Sequence, residues 1–507
     1  MDHEKNLSRL NRLTKEISLL THTFSVLGWD QETYMPENAA AERSEQSSLI
    51  SRLIHQRASS SEMEQVLSDL GCSESTPDGD KSLPDHSRRL LRRAYKSYKD
   101  AVKLPEELVS ELAEHSSISQ INWAKAKNRN DFSLFRPYLE KMIDLLIRKS
   151  EILGYESHRY DALLDQFEPW TRTTEIKSVF NRLQPELTGL LNKISGCKQV
   201  DDSILHRKWD IKRQKELSHF ILKEMNFDFT MGRIDESEHP FTATLGGSDI
   251  RLTTRYDKHY FNMGLYGTMH EGGHGLYEQG IPGQMRGTAL GECASLAIHE
   301  SQSRLWENMI GRSMEFFTAY YGKIAEIFPE PAGGYSAEEM FKAVNMVKPS
   351  LIRVEADEVT YGLHIILRFR LELQLLEGSV AVKDLPEAWN ELSRELLGIV
   401  PDCDAAGVLQ DVHWSFGGVG YFPTYTLGNL YSAQFLNSMN KDLDVSKQIS
   451  SGKLLPVLNW LRENIHGRGA LYSGPELCRL VTGEDLNPDY FMNYLNDKYD
   501  RIYNFNR

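Results

Sequence analysis

The stretch Met269-His270-Glu271-Gly272-Gly273-His274-Gly275 gathers residue types that do chemistry, at a spacing that suits it. Two histidines four residues apart stand on one face of an α-helix, so both imidazoles can reach a shared metal ion. Zinc is the expected metal, because it accepts neutral imidazole nitrogens tetrahedrally and keeps a position for water when the protein supplies three ligands; cobalt is the alternative. Glu271, one step round the helix, would take that water's proton. Gly272 and Gly273 each cost a helix interior about 0.8–1 kcal/mol against alanine. A solvated face has no cause to bear that cost, so something is expected to lie close against their backbone.

Such a site needs a third protein ligand. The metzincin pattern would place Gly and His three and six residues past the second histidine, where this chain has Tyr277 and Gly280, so that type is excluded. The next helical stretch is expected over Thr288 to Asn308, with Glu292, Glu300 and Glu307 near one stripe of it. Spacing leaves these three open.

A second polar group lies downstream. Pro349 suits the first turn of a helix running to about Glu377, along one face of which would stand Arg353, Asp357, Tyr361, His364 and Arg368. A stripe that mixes Arg, Tyr and His suits a wet cavity wall better than a solvated face. A guanidinium, with its planar fork of donors, is the natural partner for a free peptide carboxylate.

The run His299-Glu300-Ser301-Gln302-Ser303, following His270-Glu271-Gly272-Gly273-His274, resembles the metal site of the thermostable carboxypeptidase family, also called the Taq carboxypeptidase family. The resemblance recurs in family order in Trp29-Asp30-Gln31-Glu32-Thr33-Tyr34-Met35-Pro36, His239-Pro240-Phe241-Thr242 and Asp249-Ile250-Arg251-Leu252-Thr253-Thr254-Arg255-Tyr256. It returns in Ile352-Arg353-Val354-Glu355-Ala356-Asp357-Glu358, and in Gly407 to Trp414 with Gly420-Tyr421-Phe422-Pro423. It spans nearly the whole chain. It implies Glu300 as third ligand, leaving Glu292 and Glu307 as outer or surface groups. It also implies Arg353 as the carboxylate anchor, with His413 and His239 facing substrate; Tyr421 and Tyr425, in the Gly-rich run that follows, are the candidates to offer a substrate oxyanion a phenol. The family further implies a mostly helical body cleft by a long groove, and a homodimer.

The elements that position these residues read as helices. Leu7 to Leu27, Ala39 to His55, Asp85 to Lys103, Glu106 to Lys127, Asp131 to Gly154, Thr173 to Ser195 and Lys212 to Met225 carry apolar residues at three- and four-residue intervals. Phe229 to Tyr256 is rich in Thr, Phe and Gly with short alternation, which predicts a small β-ribbon able to take a substrate strand along its edge. The fold class is therefore all-α with a small β-ribbon beside the active site. No Pro/Gly/Ser linker divides the chain, although Cys72 to Pro84 reads as a polar loop. One body is expected over 1–507, with 1–228 a helical groove wall and 229–507 the metal and substrate half.

Composition narrows the partners. A net charge of -14 argues against nucleic acid or an anionic membrane as a partner, and 40% hydrophobic residues suffice for a large core. No apolar run approaches a membrane span, and the first residues lack the order of a secretory signal, so the cytoplasm is the expected compartment. Cys72, Cys197, Cys293, Cys403 and Cys478 stand singly and are read as reduced. The resulting expectation is a metal-dependent carboxypeptidase that releases single residues from peptides with a free C-terminus. The rivals are a helical oligopeptidase or dipeptidyl carboxypeptidase with the same zinc motif, and a non-catalytic peptide-binding scaffold with a structural metal.

Overall fold

The computed structural model describes residues 3–505. Helices His3–Thr33, Ala40–Ala58, Asp85–Lys103, Glu106–Arg129, Arg136–Leu153, Thr173–Ser195 and Ile211–Glu224 occupy the seven stretches with helical periodicity. Their ends have local causes. Asp210 accepts from the Arg213 backbone N–H and opens Ile211–Glu224, while Asn130 closes Glu106–Arg129 in a left-handed conformation. A short 3₁₀ turn at Phe132–Leu134 follows, and Pro137 in the first turn starts Arg136–Leu153, later than the periodicity suggested.

The fold is mainly helical with one small sheet, as expected. The region read as a ribbon forms three strands, β1 (Gly232–Glu236), β2 (Thr242–Gly246) and β3 (Asp249–Thr254). Their order is β1-β3-β2, with β3 parallel to β1 and antiparallel to β2 and a register break between Thr244 and Gly246. Ile250 and Leu252 of β3 are fully buried. β2 is left as an edge.

Contacts divide the chain into two compact units. The first comprises Met1–Val102, Asp202–Val344 and Phe435–Gly483; it holds the sheet and the helices Phe261–Gly280 and Leu296–Arg304. One of its apolar clusters gathers Leu10, Leu13, Val66, Leu70, Leu91 and Leu290. The second comprises Lys103–Asp201, Asn345–Gln434 and Glu484–Arg507, and packs Thr173–Ser195 against Glu358–Glu377, with the Phe180 and Phe369 rings 5.2 Å apart. Neither unit ends at residue 228, the boundary expected from the sequence. Helix Ile211–Glu224 belongs with the metal-bearing segment because it packs along Phe261–Gly280. Among the described residues no helix is long and apolar enough to cross a membrane, and none of the five cysteines is in a disulfide.

Candidate metal and catalytic site

His270, Glu271 and His274 lie on helix Phe261–Gly280, and Glu300 on helix Leu296–Arg304. The two helices meet where the glycines allow. A Cβ on Gly273 would stand 2.7 Å from the Gln302 carbonyl oxygen and from Ser303 Cα, and one on Gly272 would stand 2.8 Å from Leu222 Cδ2. This is the close approach that the glycine pair implied. The second helix opens at Leu296 and not at Thr288, because Ser295 caps it by accepting from the Ile298 backbone N–H. Glu292 therefore stands outside the helix and is exposed, off the stripe on which the sequence placed it.

Glu300 Oε2 lies 3.6 Å from His270 Nε2 and 3.3 Å from His274 Nε2. Ligand atoms about 2.0–2.2 Å from one ion in tetrahedral directions stand about 3.3–3.6 Å apart, so these donors fit a small divalent metal. All three side chains are largely buried, at 20, 13 and 7% exposure for His270, His274 and Glu300. Burial pushes the Glu300 carboxyl up, but Arg304, His270 and His274 together hold it well below its usual range. Burial takes His274 down to about 3, keeping it neutral. An ionised carboxylate and a neutral imidazole are the forms that bind metal.

A ring of partners orients these ligands. His270 Nδ1 lies 2.9 Å from Glu307 Oε2, which fixes the tautomer that turns Nε2 toward Glu300. Arg304 donates to Glu300 Oε1 at 2.6 Å and to Glu307 at 3.3 Å, and Arg312 donates to Glu307 at 3.2 Å. Oε1 of Glu300 is thus held by Arg304, while Oε2, which also accepts from the Ser303 hydroxyl at 3.0 Å, faces the two histidines. Glu307 sits in a π-helical segment, Leu305–Gly311, whose wider turn departs from the phase of a continuous α-helix. Behind His274, the His299 ring stacks at 4.4 Å and bonds to Glu278 at 2.8 Å.

Glu271 is buried, at 4% exposure, and accepts from Thr242 Oγ1 at 2.7 Å. Burial is the main force raising its carboxyl above the usual value, against His270 and Thr242. Thr242 opens β2, and the exposed His239 lies on the turn that leads into it. The Ser237 hydroxyl donates to the His239 carbonyl, the Thr253 backbone N–H of β3 donates to the Phe241 carbonyl, and the Phe241 N–H donates to the Thr253 hydroxyl.

The second polar group forms inside the second unit, by a route the sequence did not suggest. No helix starts at Pro349: helix Glu358–Glu377 begins where Asp357 accepts from the backbone N–H groups of Val359 and Thr360. Arg353 stands before it in a short 3₁₀ turn. Its partner is Asp411, not Asp357: Nε and Nη2 donate to Oδ1 at 3.0 and 2.7 Å, while Nη1 donates to the Tyr361 hydroxyl at 2.9 Å. Arg368 donates to the other oxygen of Asp411 at 2.6 Å. Two guanidiniums thus share one carboxylate. The Asp411 carboxyl, which burial alone would raise, is driven far below its usual range by both. His413 is buried and taken down to about 3 by burial, with Nε2 3.2 Å from the Tyr425 hydroxyl. Tyr421 packs edge-on against Phe167 and His413, with ring centres 5.1 and 5.2 Å away.

A family model described as Carboxypeptidase Taq (M32) metallopeptidase matches residues 9–499. The chain belongs to this family. It is 40% identical to thermostable carboxypeptidase 1 of Thermus thermophilus, over 99% of this chain and 100% of that one. It is 39% identical to carboxypeptidase 1 of Bacillus subtilis, over 97% of each. A solved structure of the M32 carboxypeptidase from Deinococcus radiodurans R1 superposes with a TM-score of 0.94 at 35% identity, covering 99% of this chain and 100% of that one. In this M32 chain the groups that the sequence left without a role are Thr242, Arg304 and Asp411, while Glu307 stands behind His270 as an outer group. Arg304 carries a local signal, standing four residues after Glu300 on one helix face. Asp411 carries none, being 58 residues from Arg353.

Proposed function

We propose that the protein is a zinc-dependent carboxypeptidase that removes single residues from peptides with a free C-terminus, with His270, His274 and Glu300 as ligands and Glu271 as base. The observation that carries this reading is the convergence of the three ligand atoms within 4.8 Å of one another beside a buried carboxylate. When bound there, zinc polarises the scissile carbonyl and lowers the pKa of a bound water. Glu271, aligned by Thr242, would take a proton from the attacking water and return it to the leaving amine. Cobalt suits the same donors.

Arg353 anchors the terminal carboxylate in this reading. The support is charge: among the described residues Arg353 and Arg368 face only Asp411 as a full counter-charge within bonding distance, which leaves the trio one positive charge in excess. His413, held neutral, and Tyr421 complete the surface that meets the terminal residue. His239, on the turn before β2, contacts the chain of the substrate, and the β2 edge offers backbone groups to an extended peptide. The family reading extends to a homodimer, and five cysteines outside any disulfide favour the cytoplasm.

The test is a mass-spectrometric ladder on one peptide supplied as acid and as C-terminal amide, with metal-loaded and chelated protein and with elemental analysis of the loaded form. Sequential loss of single residues from the acid, abolished by chelation and absent from the amide, is the expected result. Internal cleavage would favour an oligopeptidase, loss of residue pairs a dipeptidyl carboxypeptidase, and binding without cleavage a scaffold.

A further inference from the structure

Helix Glu358–Glu377 of the second unit carries Arg368 and, one turn on, the fully buried Glu372. Arg368 holds Asp411. Glu372 holds the residues that follow. Its Oε1 accepts from the Trp414 indole at 2.9 Å, and its Oε2 accepts from the Gly420 backbone N–H at 3.2 Å and from the Tyr160 hydroxyl at 2.7 Å. Trp414 comes directly after His413, and Gly420 directly before Tyr421. One carboxylate therefore spans both ends of the turn that separates these two side chains.

The turn itself is irregular. A 3₁₀ piece, His413–Phe416, leads to Gly417 and Gly420 at φ of 81° and 97°, a region that favours glycine. A Cβ on Gly420 would stand 2.9 Å from the Leu164 backbone nitrogen, so the chain runs tight against helix Arg159–Leu164, which supplies Tyr160. Gly417 and Gly418 donate back to the Trp414 and His413 carbonyls at 3.3 and 2.8 Å, whereas the Gly420 N–H goes to Glu372. An indole N–H and a peptide N–H can only donate, so a side chain that holds each on its own atom must present two acceptor oxygens. A carboxylate presents two; an amide presents one oxygen and an NH₂ that would face a donor. The arrangement has a cost, since burial raises the carboxyl to about 7 against Tyr160, Trp414, Gly420 and Arg368.

We propose that Glu372 is a positioning residue for substrate choice: by clamping Trp414 and Gly420 to one helix it sets where His413 and Tyr421 stand against the terminal residue of the peptide. The proposal rests on the peptidase reading above, in which those two side chains meet that residue. Arg368 and Glu372 thereby make one helix face the template for the segment from Asp411 to Tyr421.

The experiment measures kcat/KM at pH 8 on one peptide ending in Gly, Ala, Leu or Phe, for wild type, Glu372→Gln, Trp414→Phe and Tyr160→Phe. Zinc affinity is measured by chelator competition, and amide hydrogen exchange over residues 412–421 by mass spectrometry. In Glu372→Gln the Phe-to-Gly and Leu-to-Gly ratios should change about tenfold, because small displacements of positioning groups are felt by the side chain they meet. Exchange over 412–421 should quicken roughly tenfold. Zinc affinity should stay within twofold of wild type. Trp414→Phe frees one end of the clamp with the carboxylate intact and should change the ratios and the exchange in the same direction, which keeps the test open if the Gln variant does not fold. Tyr160→Phe removes a bond to Glu372 that does not reach the turn, and should leave the ratios within about twofold. Unchanged ratios in Glu372→Gln, an equal factor on all four peptides, or the same changes in Tyr160→Phe would overturn the proposal. Should the wild type release no terminal residue, the peptidase reading fails instead, and the clamp is then decided by exchange, which unchanged rates over 412–421 would overturn.

Discussion

Glu307→Gln tests whether the groups behind the ligands set metal affinity. Glu307 holds His270 Nδ1 at 2.9 Å and is itself paired with Arg304 and Arg312 at 3.3 and 3.2 Å. Arg304, His270 and Arg312 outweigh burial and keep its carboxyl at about 2, so it is an anion at any working pH. Removing that charge leaves Arg304 and Arg312 less balanced beside the metal site. The main loss is orientation: an amide can turn its NH₂ toward His270 and favour the tautomer whose Nε2 carries a proton and cannot ligate. Changes of this kind cost about tenfold to a hundredfold in metal affinity, or about 1.4–2.7 kcal/mol. The assay is a zinc titration against a competing chelator at pH 7.5, with far-ultraviolet circular dichroism to confirm that the variant is folded. A dissociation constant within twofold of wild type would refute the argument, and so would a weakened affinity fully accounted for by unfolding.

Three further outcomes follow from the geometry. Glu300→Ala should lose metal and activity together while Glu292→Ala retains full metal; full loading of the Glu300 variant would move the ligand assignment. Arg353→Ala should cost about 1.5–3 kcal/mol in kcat/KM on a peptide acid, roughly tenfold to 150-fold, and far less on the amide. An equal factor on both would make Arg353 a support of the fold, since its loss leaves Asp411 with Arg368 alone. Glu372, fully buried, accepts from Tyr160, Trp414 and the Gly420 backbone, yet burial raises its carboxyl to about 7 from 4.5. A carboxyl raised in the folded state destabilises progressively as pH climbs from 4.5 to 7 and fully above it, by about 3 kcal/mol at about 1.4 kcal/mol per pH unit. The stability difference between wild type and Glu372→Gln should therefore shift against wild type across that window; a flat difference in chemical denaturation would contradict this.

Local pattern made much of the molecule legible. Asp85–Lys103 and Thr173–Ser195 end where their periodicity ends, and the metal helix announced itself through histidine spacing and two costly glycines. What failed were element boundaries set by single capping residues: Ser295 and Asp357 displaced two helix starts and removed Glu292 and Arg353 from the faces assigned to them. The π-helical turn at Leu305–Gly311 changed the phase of Glu307, which no 3.6-residue stripe can anticipate. Partners distant in sequence were invisible for a different reason. Thr242 meets Glu271 across 29 residues and Asp411 meets Arg353 across 58, and such pairings follow from packing, not from any local period.

The central claim is that Glu271 acts as base beside a metal held by His270, His274 and Glu300. Its most direct test is single-turnover hydrolysis of a peptide acid by Glu271→Gln with metal content measured on the same sample. The amide keeps the shape and the Thr242 contact but cannot take a proton, so metal should remain at the wild-type stoichiometry while the rate falls by about 10² to 10⁴. A near wild-type rate in a fully loaded variant would contradict the account.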